Sequence, residues 1–195
     1  MKPFCVSWCK PILNYFKVNV AWAKVGNTFG YAGIIRNHLV VFISGYASPT
    51  VVEDMHMVVL MSVMSGIKLY NRFSINNIVL EANFPLVSLI DTGINVLPCA
   101  PPLFHFRRRI IEELNSFSHS FFVINKEVNV VALALAVLGT VFKNYKELSM
   151  DQLPVSIQGV EVISGADIWE CLYDEWFAST MREFLARKSG LIVDL

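Results

Sequence analysis

The sequence predicts an α/β fold in which a mixed sheet of five strands is flanked by helices on both faces. Three apolar, β-branched runs lie close together near the start of the chain, which predicts an antiparallel meander. The spacing of the apolar residues then changes from the strand period to the helical period, and strands and helices alternate up to about residue 140. A meander followed by β-α units is typical of a mixed sheet between two helical layers.

The predicted elements follow the order β-β-β-α-β-α-α-β-α. The strands are residues 14–23, 31–37, 39–47, 77–82 and 120–125, and the helices are residues 53–70, 84–92, 104–117 and 129–138. Thr50 or Asp54 is expected to cap the first helix, because a side-chain oxygen there can accept hydrogen bonds from its free N–H groups. The prolines of residues 97–103 predict a loop before the third helix.

The chain divides into three segments by composition. Residues 8–142 are expected to form the domain, residues 143–165 an irregular linker, and residues 166–190 an amphipathic C-terminal helix. The apolar stripe of that helix would either pack on its own domain or bind a protein partner. It consists of Ile168, Leu172, Trp176, Phe177, Met181, Phe184 and Leu185.

Composition indicates a folded intracellular protein, cytoplasmic or nuclear, that is neither secreted nor membrane-embedded. Hydrophobic residues make up 54% of the 195 residues, which argues against disorder. The longest nearly apolar run, residues 128–142, would span roughly 22 Å as a helix, short of a ~30 Å bilayer core. Because the formal net charge is zero, any nucleic-acid binding would need a local basic patch. The four cysteines form no CxxC pair, and no zinc site is expected.

Five short motifs follow one another between residues 8 and 140. Trp8 and Pro11 precede the first; the motifs are KVNVAWA (17–23), YAGIIRN (31–37), VVLMSVMSGIKL (58–69), INNIVLEANF (75–84) and KEVNVVALALA (126–136). As an ordered set, they resemble plant ribonuclease H-like domains related to the ribonuclease H of non-LTR retrotransposons. The corresponding patterns there include K-x-N-x-D-G, I-x-N-[IV]-x-[IV]-E-x-D-S and R-E-x-N-x-x-A-D-x-L-A. The resemblance implies a ribonuclease H-like fold.

The resemblance also implies where metal-binding acids would stand. Active members cleave the RNA strand of an RNA–DNA hybrid with two divalent ions held by four carboxylates, because Mg²⁺ prefers oxygen ligands. The four family positions fall on Ala21, Val59, Asn83 and Leu133, and none of these residues is acidic. The resemblance therefore implies a domain with no nuclease activity and no metal cofactor. It would survive as a nucleic-acid-binding or protein-interaction remnant of a retroelement.

Two other hypotheses stay open at this point. In the first, the chain is an active hybrid ribonuclease that binds Mg²⁺ through shifted acids, for which the candidates are Asp54, Glu81, Asp91 and Glu127. In the second, the inactive domain still binds RNA–DNA hybrid or RNA weakly. Its candidate contacts are Lys17, Asn19, Arg36 and Asn37. The basic run 107–109 is interpreted as a solvated helix face, paired at i+4 with the glutamates that follow.

Overall fold

A computed structural model of the protein describes residues 11–73, 76–90, 101–155 and 157–158. Within these residues, six strands form one mixed sheet in the order β5-β4-β1-β2-β3-β6. The β1-β2, β2-β3 and β3-β6 pairs are antiparallel, and the β1-β4 and β4-β5 pairs are parallel. The strands are β1 Phe16–Val25, β2 Thr28–Arg36, β3 Phe42–Thr50, β4 Asn77–Ala82, β5 Ser118–Val123 and β6 Lys146–Leu148.

Helices cover both faces of this sheet, as the element order predicted. They are α1 Met55–Tyr70, α2 Leu86–Ile90, α3 Pro101–Leu114 and α4 Val130–Gly139. Alternate residues of β1 enter different cores: Val18 and Val20 pack with α1, α2 and α3, whereas Ala21 packs with α4. A strand points successive side chains to opposite faces, so a strand that is covered on both faces has buried side chains at successive positions. Among the described residues, no helix is both long and apolar enough to cross a membrane.

The start of α1 matches one of the two predicted caps. Asp54 is extended, and its Oδ1 accepts hydrogen bonds from the backbone N–H groups of His56 at 2.8 Å and Met57 at 3.2 Å. These bonds satisfy donors that have no partner within the helix.

Tyr46 of β3 fixes α1 to the sheet. Its buried hydroxyl donates to the carbonyl of Ser62 at 2.6 Å. The phenol lies where glycines leave room: a Cβ at Gly33 would be 2.3 Å from the Tyr46 hydroxyl, and a Cβ at Gly66 would be 3.0 Å from it. Burial raises the pKa of Tyr46 above its usual value, so the hydroxyl stays a neutral donor.

Several segments differ from the prediction. Strand β2 begins at Thr28 in place of residue 31, and β3 spans Phe42–Thr50 in place of 39–47. Helix α3 begins at Pro101, three residues before the predicted start at 104, because the first helical turn needs no N–H from proline. The expected irregular linker, 143–165, contains β6 beside β3, and Leu148, Leu153 and Ile157 pack in the α4 core. The sheet therefore has six strands in place of five. The helix predicted for residues 166–190 lies outside the described residues and stays a prediction.

Candidate functional site

Three of the four motif positions lie side by side near the residue at which β4 ends. Ala21 of β1, Val59 of α1 and Asn83, which follows β4, line a shallow depression. The other lining residues are Val20, Trp22, Ser62, Ala82 and Phe84, and the depression has no space for an enclosed water molecule. Ala21 and Val59 are 4% and 3% exposed, so the wall they form is apolar and closed.

The fourth position does not line this depression. Leu133 lies on α4 and packs, half-buried, against the core beneath that helix. One turn earlier, Asn129 links α4 to the site: its Nδ2 donates to the carbonyl of Val20 at 2.9 Å and lies 3.4 Å from Oδ1 of Asn83. Asn129 is 1% exposed, and its own Oδ1 has no hydrogen-bond partner within the described part of the chain. The amide of Asn83 is thus the only oxygen-bearing side chain among the four motif positions.

Ser62 fixes the floor of the depression. Its hydroxyl donates to the carbonyl of Ala32 at 2.6 Å, and the hydroxyl of Tyr46 lies 3.3 Å from it. Ser62 is fully buried, so these bonds satisfy a polar group that would otherwise be costly to enclose. They hold α1, and with it Val59, against the centre of the sheet.

Beside the depression, four polar side chains form a buried polar network across β2, β1 and β4. The ammonium of Lys17 lies 2.5 Å from Oε1 of Glu81, and the amide of Asn19 donates to Oε2 of Glu81 at 2.9 Å. Arg36 donates to Oδ1 of Asn19 at 3.2 Å. The register explains the meeting, because Asn19 lies opposite Glu81 and Lys17 lies opposite Arg36. All four side chains belong to residues that are at most 5% exposed.

This network contains three of the four predicted nucleic-acid contacts. Lys17, Asn19 and Arg36 are buried and bonded to the protein, so in this conformation they present almost no surface to a phosphate. Asn37 also has a structural role: its Oδ1 accepts from the backbone N–H groups of Leu39 at 2.9 Å and Val41 at 3.0 Å, which closes the β2-β3 turn. The sequence placed Glu81 on the same strand face as Asn83, because residues two apart in a strand point alike. The pairing register was needed to show that Lys17 and Asn19 bind Glu81.

The basic run of α3 is consistent with a solvated helix face. Arg108 donates to Glu112 at 3.0 Å with the predicted i+4 spacing, and Arg109 is exposed. Arg107 differs, because it is only 7% exposed.

Solved structures of known proteins are similar to this fold, whereas no protein-family model and no curated protein matches the sequence. Solved structures do match: ribonuclease H1 from the halophilic archaeon Halobacterium salinarum has a TM-score of 0.56 at 18% identity, over 64% of this chain and 96% of that chain. The LC11 ribonuclease H1 isolated from compost has a TM-score of 0.58 at 12% identity, over 66% and 96%. The LC11 enzyme in complex with an RNA/DNA hybrid gives 0.57 at 13% identity, over 64% and 96%.

The chain has a ribonuclease H-like fold. At these identities the likeness shows the fold alone, and the chemistry must be judged from the residues present. The mixed sheet and its two helical layers agree with the fold that the five motifs implied.

Such a fold implies a pair of divalent metal ions, and the residues here do not fit them. No group of three or more His, Cys, Asp or Glu side chains capable of holding a metal occurs among the described residues. Two Mg²⁺ ions about 4 Å apart need several carboxylates to offset their charge. The three motif positions that line the depression offer two alkyl side chains and one neutral amide instead, and the lining includes no carboxylate.

The acids of the alternative hypothesis do not converge on the depression where they can be located. Glu81 is engaged by Lys17 and Asn19, and Asp54 caps α1. Asp91 lies outside the described residues, as does the side chain of Glu127. The two carboxylates that can be located are therefore already used by the fold.

Proposed function

We propose that this protein is a ribonuclease H-like domain without nuclease activity, in which other residues have replaced the metal-binding acids of a retroelement-type enzyme. The observation that carries the proposal is that the three motif positions of the depression, Ala21, Val59 and Asn83, supply one neutral oxygen ligand and no carboxylate. A methyl or isopropyl group cannot coordinate a hard cation. The order and spacing of the five motifs support descent from the plant retrotransposon-type family.

The ion pair of Glu81 supports the same conclusion. If Glu81 turned toward a metal in the depression, it would leave the buried ammonium of Lys17 without this carboxylate. Removing one partner of a buried ion pair costs on the order of 3–5 kcal/mol. The binding free energy of a metal would have to exceed this cost, and the neighbouring apolar side chains supply no ligand that could contribute to it.

A non-catalytic domain of this kind acts by binding. A solved neighbour was crystallised with an RNA/DNA hybrid, which makes a hybrid the first nucleic acid to try. The contacts expected from the motifs are buried here, so hybrid binding would be weak, salt-sensitive and confined to exposed basic residues such as Arg109. The geometry favours protein interaction over hybrid binding for this reason.

A cleavage assay tests the proposal. Full-length protein is incubated with an RNA–DNA hybrid in Mg²⁺ or Mn²⁺, with a known ribonuclease H1 as the active control. We expect no metal-dependent cleavage above the level without metal. The Glu81→Gln variant, purified in parallel, is the matched control, because a contaminating nuclease would act equally in both samples.

Metal-dependent turnover that disappears in Glu81→Gln would overturn the proposal and favour the shifted-acid hypothesis. Binding is measured separately by mobility shift on hybrid, duplex RNA and single strands at low and moderate salt. A shift that persists at moderate salt would contradict the expected weak, electrostatic contact.

A further inference from the structure

The outer edge of β5 has a regular set of backbone groups that no other strand among the described residues pairs with. The N–H of Ser118 donates to Asn76 at 2.8 Å and the N–H of Ile124 donates to Ala82 at 2.9 Å, both on the β4 side. Backbone groups of a strand alternate in direction, so even-numbered residues face β4 and odd-numbered residues face away from it. The N–H and C=O groups of His119, Phe121 and Val123 therefore point outward, and no other strand among the described residues pairs with them.

This edge lacks the features that normally prevent strand association. Residues 118–123 contain no charged residue and no proline, and Phe122 and Val123 are 53% and 63% exposed. Natural edge strands are usually short, charged or interrupted by proline. The opposite edge of the same sheet follows that rule, because β6 has three residues and exposes Lys146 and Glu147. The two edges of the sheet are thus protected to very different degrees.

We propose that two copies of this chain associate through β5, in antiparallel pairing about a two-fold axis at Phe121. The axis follows from the outward groups: Phe121 pairs with the partner's Phe121, and His119 pairs with the partner's Val123. Each of these pairs exchanges two N–H···O=C bonds, which gives about six hydrogen bonds across the junction. The two sheets then join into one continuous sheet through the dimer.

A second copy fits this edge better than an unrelated strand. A two-fold axis perpendicular to the sheet keeps each face continuous, so Phe122 lies opposite the partner's Ser120. The two Phe122 positions become diagonal neighbours about 7–8 Å apart, a spacing across which aromatic side chains can make contact. The strand is uncharged and the formal net charge of the chain is zero, so no long-range repulsion opposes association. The charged β6 lies at both outer edges, and the assembly therefore closes as a dimer.

Sedimentation equilibrium on the full-length protein tests the interface. We expect a monomer–dimer equilibrium in the wild type and a monomer in Val123→Pro. The substitution removes an outward N–H that makes no bond within the described monomer, so the denaturation midpoint should change little. The matched variant Val123→Ala keeps the N–H and should still dimerise. A monomeric wild type, or a dimer unaffected by Val123→Pro, would overturn the proposal.

A charge exchange at Phe122 provides an independent test. Phe122→Lys and Phe122→Glu should each weaken self-association at least about tenfold, because like charges become diagonal neighbours. An equimolar mixture should associate again as a heterodimer. If the mixture stays monomeric while both variants are folded, the two-fold axis at Phe121 is wrong and β5 does not pair with a second copy.

Discussion

Lys17 and Glu81 form an ion pair between the two parallel strands at the centre of the sheet, with side chains 7% and 4% exposed. Asn19 holds the second oxygen of the same carboxylate. The acid on the strand that leads to Asn83 is therefore neutralised by the protein itself. This pair gives a structural role to residues whose sequence pattern suggested ligand contacts.

The ion pair predicts a large and non-additive stability effect. Glu81→Gln and Lys17→Met should each lower the free energy of unfolding by about 3 kcal/mol, because each removes one charge of a buried ion pair. The double variant should cost less than the sum of the two, since the pair disappears together. Urea unfolding measures all three. The exposed Arg72–Glu147 pair is the matched control, and Arg72→Gln should cost less than about 1 kcal/mol. A loss in Glu81→Gln no larger than that in Arg72→Gln would contradict this.

The contact between Gly33 and Tyr46 predicts a steric effect. Gly33→Ala should destabilise the protein by about 2–3 kcal/mol, because the new methyl would lie 2.3 Å from the Tyr46 hydroxyl. Combining Gly33→Ala with Tyr46→Leu should cost less than the sum of the single changes, since the smaller side chain removes the clash. Thermal unfolding of the single and double variants gives the coupling. Strict additivity of the two core changes would refute the prediction. Gly26→Ala cannot serve as a control, because Gly26 has a positive φ of 58°, which strains any residue with a Cβ.

The buried tyrosines predict a loss of stability at high pH. Burial raises the pKa of Tyr46 and of Tyr70 above the usual value of about 10. The folded state then holds these phenolic protons more tightly than the unfolded state. The contribution of these tyrosines to stability should be constant below about pH 10 and should be lost above it, by up to ~1.4 kcal/mol per pH unit for each tyrosine. Tyr70→Phe should flatten this decline, as measured by urea unfolding between neutral and alkaline pH. An unchanged slope would show that other groups control alkaline unfolding.

Restoring acids at the motif positions predicts a linked change in stability and metal binding. Ala21→Asp should lower the melting temperature, because it places a carboxylate at a site that is 4% exposed. Adding Val59→Glu and Asn83→Asp should lower it further through like-charge repulsion. Mg²⁺ or Mn²⁺ should then recover part of the loss in the triple variant while leaving the wild type unchanged. If the metal stabilises the wild type equally, the proposal of a lost metal site is wrong.

Much of the fold follows from local patterns in the sequence. The alternation of β1 and the helical spacing of α1 are recognisable because both elements are long. The family resemblance implied that Ala21, Val59, Asn83 and Leu133 share one site, and the first three of them line one depression.

Other features depend on tertiary contacts that no local pattern contains. The three residues of β6 form a strand because β3 offers them a partner edge. A run of three residues is too short to show a strand pattern in the sequence. Lys17 and Arg36 suggest exposed contacts when they are considered singly. Only the parallel register that places Asn19 opposite Glu81 shows that the strands bury these charges against one another.

Tyr46 also limits the order in which this core can change during evolution. Gly33 leaves room for the phenol, so a side chain at position 33 requires a smaller residue at 46 beforehand. A lineage that loses the tyrosine first can then accept alanine at position 33, whereas the reverse order passes through an overpacked intermediate. Gly66 has a second constraint, because a Cβ there would also lie 2.8 Å from Cγ1 of Val18. Positions 33 and 46, distant in sequence, are therefore expected to be replaced together and in a preferred order.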